Sequence, residues 1–314
     1  MRCILVDLDG ALPEQPTLRA RLDAGTATLV AARDLASGLR IVAGRPGLDA
    51  LRCRLAGLLD PARRPPLIFY GSGDFHHLAV VFLAALRECV TLVHIDNHPD
   101  WTTFPATVNC GAWVNRALEL PTVRRVVTIG PSGSDLRHPE WKFANLEALR
   151  RGDLEVHAWR APPTRFWGRP ILASGCTTSS GRLVWHNLAD RPWDQAAEAL
   201  VRRLPTGPIW ISLDKDVLTA QDAVTDWDQG GMWLEDVLQL ISRMVRRHKL
   251  LGMDVCGDHS PPVFRDPFRR LLSRADRPRL PAVDRARAIA VNDRTNGRII
   301  AAMSALSARR VAAA

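Results

Sequence analysis

Short apolar runs recur along this chain, each followed by an amphipathic stretch, and this alternation constrains its fold more than any other feature. The runs cover residues 3–6, 67–70, 91–95, 123–129, 154–158, 209–213 and 250–255. Helix-like stretches fall at 77–88, 111–119, 143–150, 194–203, 234–248 and 262–274, and 281–310 reads as one or two terminal helices. Strands alternating with helices predict a mostly parallel sheet covered on both faces, a three-layer α/β/α sandwich. A chain of 314 residues can bury such a core, and a single domain over 1–314, with its core motifs in 67–262, is the expectation. The Pro- and Gly-containing stretches 161–170 and 174–181 read as loops, and 16–56 carries no clear period.

In open α/β sheets ligands gather at the carboxyl ends of the strands, so the polar residues just after these runs matter most. In TLVHIDNHPDW (91–101) a strand runs into Asp96-x-His98-x-Asp100, and a period of two puts the three side chains on one face. In IWISLDKDV (209–217) a second strand delivers Asp214-x-Asp216. In LIFYGSGDFHHLA (67–79) a third enters a Gly-rich turn that leads to His76 and His77. That turn lacks the Lys-Ser/Thr of a P-loop, so a histidine there, opposite an aspartate cluster, reads as a metal ligand. Each motif alone could be a capped turn. Together, four aspartates and two histidines suit two divalent ions, with Mn²⁺ the first expectation and Zn²⁺ or Fe²⁺ open. Two such ions, by acidifying water, make a hydrolase.

Other features set limits. No apolar run approaches the roughly 18 residues of a membrane span, and the start MRCILVDLDGAL reads as a first strand, not a signal peptide. Six scattered cysteines without a CxxC pair point to free thiols and the cytoplasm. The net charge of +9 is almost all arginine, the lysines being Lys142, Lys215 and Lys249. Without a zinc-finger, RRM-like or helix-turn-helix signature, the basic run 243–249 reads as a solvated helix face and no nucleic-acid partner is expected.

The three strand ends, in this order, resemble those of the arginase, agmatinase and formimidoylglutamase (ureohydrolase) superfamily. Its GGDHS-like turn is similar to residues 73–77, its DxHxD to 96–100, its DxDxxDP to Asp214–Asp216 followed by Gly230-Gly231-Met232, and its late E-x-N-P to 258–261. The resemblance implies that His76, Asp96, Asp100 and Asp214 bind one ion and His98, Asp96, Asp214 and Asp216 the other, with Asp100 also carrying a proton. His77 is the alternative to His76, because the turn has one residue more than the family pattern. It further implies hydrolysis of a guanidino or amidino C–N bond and assembly into homo-oligomers.

The chain departs from the family on the substrate side. Cys110 stands where arginases place a shuttle histidine, Asp258 matches the guanidinium-gripping glutamate only with an insertion, and Thr219-Ala220 replace the final Asp-Pro. A modified guanidino compound or an arginine-containing peptide therefore fits better than free arginine. Three other readings stay open: an amide hydrolase of the same superfamily, a metal-binding relative without catalysis, and, because Asp7-Leu8-Asp9-Gly10 resembles the first motif of haloacid-dehalogenase-like phosphatases, a phosphotransfer enzyme.

Overall fold

The computed structural model describes residues 1–60, 63–262 and 283–312. Its centre is an eight-stranded sheet of β1 (Arg2–Asp7), β2 (Ala27–Ala31), β3 (Pro66–Phe69), β4 (Val90–Ile95), β5 (Val123–Ile129), β6 (Leu154–His157), β7 (Ile209–Asp214) and β8 (Leu250–Cys256). They lie in the order β2-β1-β3-β8-β7-β4-β5-β6, and every neighbouring pair is parallel. Parallel strands need crossovers, which cover both faces and make the inner strands apolar throughout. Accordingly β3, β4 and β7 are buried at every residue.

The strand period of two divides the core into two layers. Ile4 and Val6 pack with the helices Arg45–Leu55, Ala79–Leu83, Trp113–Leu118 and Leu146–Arg151. Cys3 and Leu5 face the other way, toward Pro16–Asp23, Trp193–Arg203, Leu234–Arg247 and the long helix Arg285–Ala312. The helix Leu234–Arg247 shows why these segments coil: Leu234, Val237, Leu240, Ile241, Met244 and Val245 are buried at helical spacing. Asp222 accepts a hydrogen bond from the Leu234 N–H at 2.9 Å, which occupies one donor of its first turn. Each such side chain contributes about 1.5–3 kcal/mol by leaving water.

The layering expected from the sequence is present, with local differences. The stretch 77–88 is not one helix: a 3₁₀ segment, Gly73–Leu78, precedes the short helix Ala79–Leu83. The terminal segment is a single helix of 28 residues, and the helix expected at 262–274 lies outside the described residues. Edge strand β2 is not evident from the sequence: only Val30 of its five residues is buried, and the apolar Leu29–Ala32 run is too short and too exposed to mark a core strand. The stretches 161–170 and 174–181, expected as loops, contribute to a small antiparallel sheet of Thr164–Arg165, Cys176–Ser179 and Arg182–Trp185. Its hairpin turns at Ser180-Gly181, both with positive φ, the geometry that matches strand twist.

Candidate metal centre

The four central strands β3, β8, β7 and β4 are neighbours, and their carboxyl ends bring the polar motifs together. Strand register sets the floor of the site. Asp254 on β8 pairs with Ser212 on β7, Ser212 with His94 on β4, and His94 with Thr128 on β5, a row of polar side chains crossing an otherwise apolar sheet. One step outward on the same face, Asp214 lies opposite Cys256, and Asp96 follows β4.

The row determines which nitrogen His76 presents. Ser212 Oγ lies 2.7 Å from Asp254 Oδ1 and 2.9 Å from His76 Nε2. A carboxylate only accepts, so the serine donates to Asp254 and the imidazole must donate Nε2–H to the serine. Asp254 is itself held by Tyr70 Oη–H at 2.8 Å and Trp210 Nε1–H at 2.5 Å. His76 Nδ1 therefore faces the carboxylates, 2.8 Å from Asp96, 3.5 Å from Asp214 and 3.8 Å from Asp100, and makes no directed hydrogen bond. His98 repeats the pattern. Its Nδ1 lies 3.1 Å from Asp135, while Nε2 makes no directed hydrogen bond and sits 3.5 Å from Asp216 and 3.2 Å from Asp228.

The electrostatics match. Burial and the charge of Asp96 push the carboxyls of Asp100 and Asp214 above the usual range; for Asp216, burial and then Asp214 and Asp96 do so. Burial would lower the His76 pKa, yet Asp96, Asp214 and Asp100 raise it to about 9, because these carboxylates favour a positive charge beside them. For His98, burial is again outweighed, by Asp135, Asp228, Asp216 and Asp96. Crowded buried carboxylates facing bare ring nitrogens are costly without a cation. The clusters His76, His94, Asp96, Asp100 and Asp96, Asp214, Asp216 each bring their ligand atoms within 4.8 Å of one another. Residues and environment thus fit divalent metal.

Of the residues expected from the sequence, the structure brings together His76, Asp96, His98, Asp100, Asp214 and Asp216 on a cavity of about 710 Å³ that Cys110 also lines. Asp100 enters it from a left-handed turn, φ 48°, and Trp113 Nε1–H donates to its Oδ2 at 2.7 Å. His77 turns away: its Nε2 is 2.8 Å from the Leu39 carbonyl, and burial lowers its pKa to about 3.

Asp258 is not brought into the cavity. Its Oδ1 accepts from Lys215 Nζ at 2.6 Å and Gln15 Nε2 at 2.7 Å, so its charge is spent on a fully buried lysine. Gly257, directly after β8, sits at φ 90°, and an added Cβ there would lie 2.4 Å from Asp214 Oδ1. Asp7 and Asp9 are likewise occupied: Asp7 caps Gly10 and pairs with Arg33, and Asp9 accepts from the Ala11 and Ser72 amides beside Arg40. Neither lines the cavity.

The sequence reading missed four contributors. His94 donates Nε2–H to Asp96 Oδ2 at 2.9 Å with Nδ1 3.1 Å from Thr128 Oγ1, and burial lowers its pKa, keeping it neutral. Its signal was available, since it precedes Asp96 by one strand period. Trp113 and Asp135 come from a helix and a 3₁₀ turn with no motif. Asp228 lies before Gly230 in a segment read only for its glycines.

Known structures share this architecture. A hypothetical agmatinase from Burkholderia thailandensis superposes with a TM-score of 0.58 over 99% of this chain and 87% of its own, at 14% identity. Arginase from Bacillus subtilis gives 0.57 over 96% of each chain at 11% identity. The proclavaminate amidino hydrolase of Streptomyces clavuligerus gives 0.52 over 94% and 91% at 16% identity. The fold is therefore arginase-like. An uncharacterized protein of Thermotoga maritima is 24% identical over 196 residues, 62% of this chain, which spans 59% of that relative's length. No protein-family model matches the chain.

Proposed function

We propose that this protein is a divergent ureohydrolase-superfamily enzyme that hydrolyses a guanidino or amidino C–N bond at a binuclear metal centre, with Mn²⁺ the expected ion. The observation that carries this reading is the pair of bare ring nitrogens, His76 Nδ1 and His98 Nε2, aimed at the four carboxylates of Asp96, Asp100, Asp214 and Asp216. Three structures of similar fold carry the names agmatinase, arginase and amidino hydrolase, which supports the bond type.

His76 would serve one ion and His98 with Asp216 the other, Asp96 and Asp214 lying between them. Ions held there supply Lewis acidity and bring the pKa of water toward about 7. The protein's own part is positional. Trp113 N–H fixes the Asp100 carboxyl, which takes up a proton, and His94 N–H fixes Asp96. Cys110 stands on the cavity wall, at the position where the resemblance places a shuttle histidine. A thiol in place of a better-matched base would slow turnover by up to about 10²–10⁴-fold without abolishing it. The cavity wall also includes Phe104, Trp101 and Ile41, apolar surface beyond what a bare guanidinium needs, which favours a larger guanidino compound or an arginine in a peptide.

The test is elemental analysis after Mn²⁺ loading, paired with urea release from arginine, agmatine and arginine-containing peptides. Two ions per chain with urea from any of these is the expected result. Two ions without urea would turn the assignment toward an amide bond or a binding role. No metal in the wild type would overturn it.

A further inference from the structure

The cavity holds more carboxylate than two dications require. Asp96, Asp100, Asp214 and Asp216 carry enough charge for both ions, and Asp135 and Asp228 are additional on the same wall, against the single cation Lys142. The two extra carboxylates are differently engaged. Asp135 has Lys142 Nζ at 3.7 Å and His98 Nδ1 at 3.1 Å, so it balances the lysine and orients the imidazole as a carboxylate does behind a metal-bound histidine.

Asp228 stands on the other side of the ring. Its Oδ1 is 3.2 Å from His98 Nε2, the nitrogen that makes no directed hydrogen bond and faces Asp216. Once that nitrogen serves an ion it has no proton for Asp228. The carboxylate then keeps its own backbone N–H and the long Asn97 Nδ2 contact to Oδ2 at 3.5 Å, the same amide lying closer, 3.0 Å, to the Asp228 carbonyl. The carboxylate is 43% exposed, into the cavity. Next to it Trp227 lines the same wall, its indole held by Nε1–H to Asp74 Oδ1 at 3.1 Å and its ring 5.8 Å from that of His98. A carboxylate that accepts a forked pair of N–H donors beside an indole face suits a planar, delocalised cation.

We propose that Asp228 and Trp227 grip the guanidinium or amidinium head of the substrate, the task that Asp258, spent on Lys215, does not reach. This rests on the hydrolase reading above and names the residues that would select a cation over a neutral amide.

The probe is methylguanidinium, with neutral N-methylurea as its control. Proton relaxation of each is titrated against Mn²⁺-loaded protein, a measurement that works at millimolar affinity, and metal content is determined for every variant. The wild type is expected to bind methylguanidinium near the ions. Asp228→Asn should weaken it by about tenfold or more, the loss of a charge-assisted contact, with N-methylurea and metal content unchanged. Trp227→Leu should weaken it about threefold or more, again at full metal content. Unaltered methylguanidinium binding in Asp228→Asn would overturn the assignment while leaving the hydrolase reading intact. So would loss of an ion in that variant, which would make Asp228 a metal ligand. A wild type that takes up no Mn²⁺ would instead remove the reading beneath both.

Discussion

His76 and His77 are adjacent in the sequence and opposite in chemistry. The 3₁₀ turn Gly73–Leu78 sends one imidazole to the carboxylates and the other to the Leu39 carbonyl. Their substitutions should separate accordingly. His76→Ala is expected to lose at least one ion by elemental analysis, whereas His77→Leu keeps wild-type metal content. His77 also has a pH signature. Its folded pKa of about 3 lies below the ordinary histidine value of 6.5, so between these values the unfolded chain binds a proton that the folded one does not. Its contribution is therefore fully present above pH 6.5 and is lost as pH falls toward 3, at up to about 1.4 kcal/mol per pH unit. Denaturant titrations of wild type and His77→Leu between pH 4 and 6.5 should show a shallower slope in the variant. Equal slopes would contradict the assignment.

At the scale of elements, the polar row Asp254–Ser212–His94–Thr128 is what lets four parallel strands present a charged site on an apolar sheet. Buried polar groups are tolerated only when paired, and Asp254 takes donors from Tyr70, Trp210 and Ser212. Removing one donor with Trp210→Phe should destabilise the fold by about 1–3 kcal/mol, measured by chemical denaturation. The turns after the strands matter equally. Gly73 and Gly257 leave no room for a Cβ, which would fall 2.6 Å and 2.4 Å from the Asp214 carboxylate oxygens. Gly257→Ala should therefore weaken metal binding by tenfold or more in a chelator competition, since it moves Asp214 and imposes a side chain at φ 90°. Wild-type affinity in that variant would show that Asp214 need not hold this position.

For the whole molecule, the long helix Arg285–Ala312 ties into the loop after β7. Lys215, between two cavity aspartates, is fully buried and pairs with Asp258, while Asn296 of that helix accepts from its Nζ at 3.1 Å. Gln15 joins the same network, so the first helix, the loop after β7, the residues after β8 and the last helix meet at one ion pair. Lys215→Met should cost about 3–5 kcal/mol, because it leaves Asp258 charged and unpaired. Lys215→Met combined with Asp258→Leu should recover much of that loss. No recovery in the double variant would mean that the pair is not what holds this junction.

The sequence by itself carried the layering and the residues of the candidate metal site, for a local reason. A strand's period of two and a helix's period of 3.6 are visible within ten residues, and Asp96, His98, Asp100, Asp214 and Asp216 follow directly on apolar strands. Short or half-exposed elements such as β2 and the 164–185 sheet were illegible because they expose as much as they bury. Tertiary structure alone decided everything that depends on which strands become neighbours. Ser212 faces Asp254, and so forces the His76 tautomer, only because β7 and β8 are adjacent across a crossover. Asp258 pairs with Lys215 across 43 residues and Asp228 meets His98 from a distant loop, contacts that no spacing motif encodes. Local periodicity reports what each segment buries, and only the packed sheet determines which buried charges find each other.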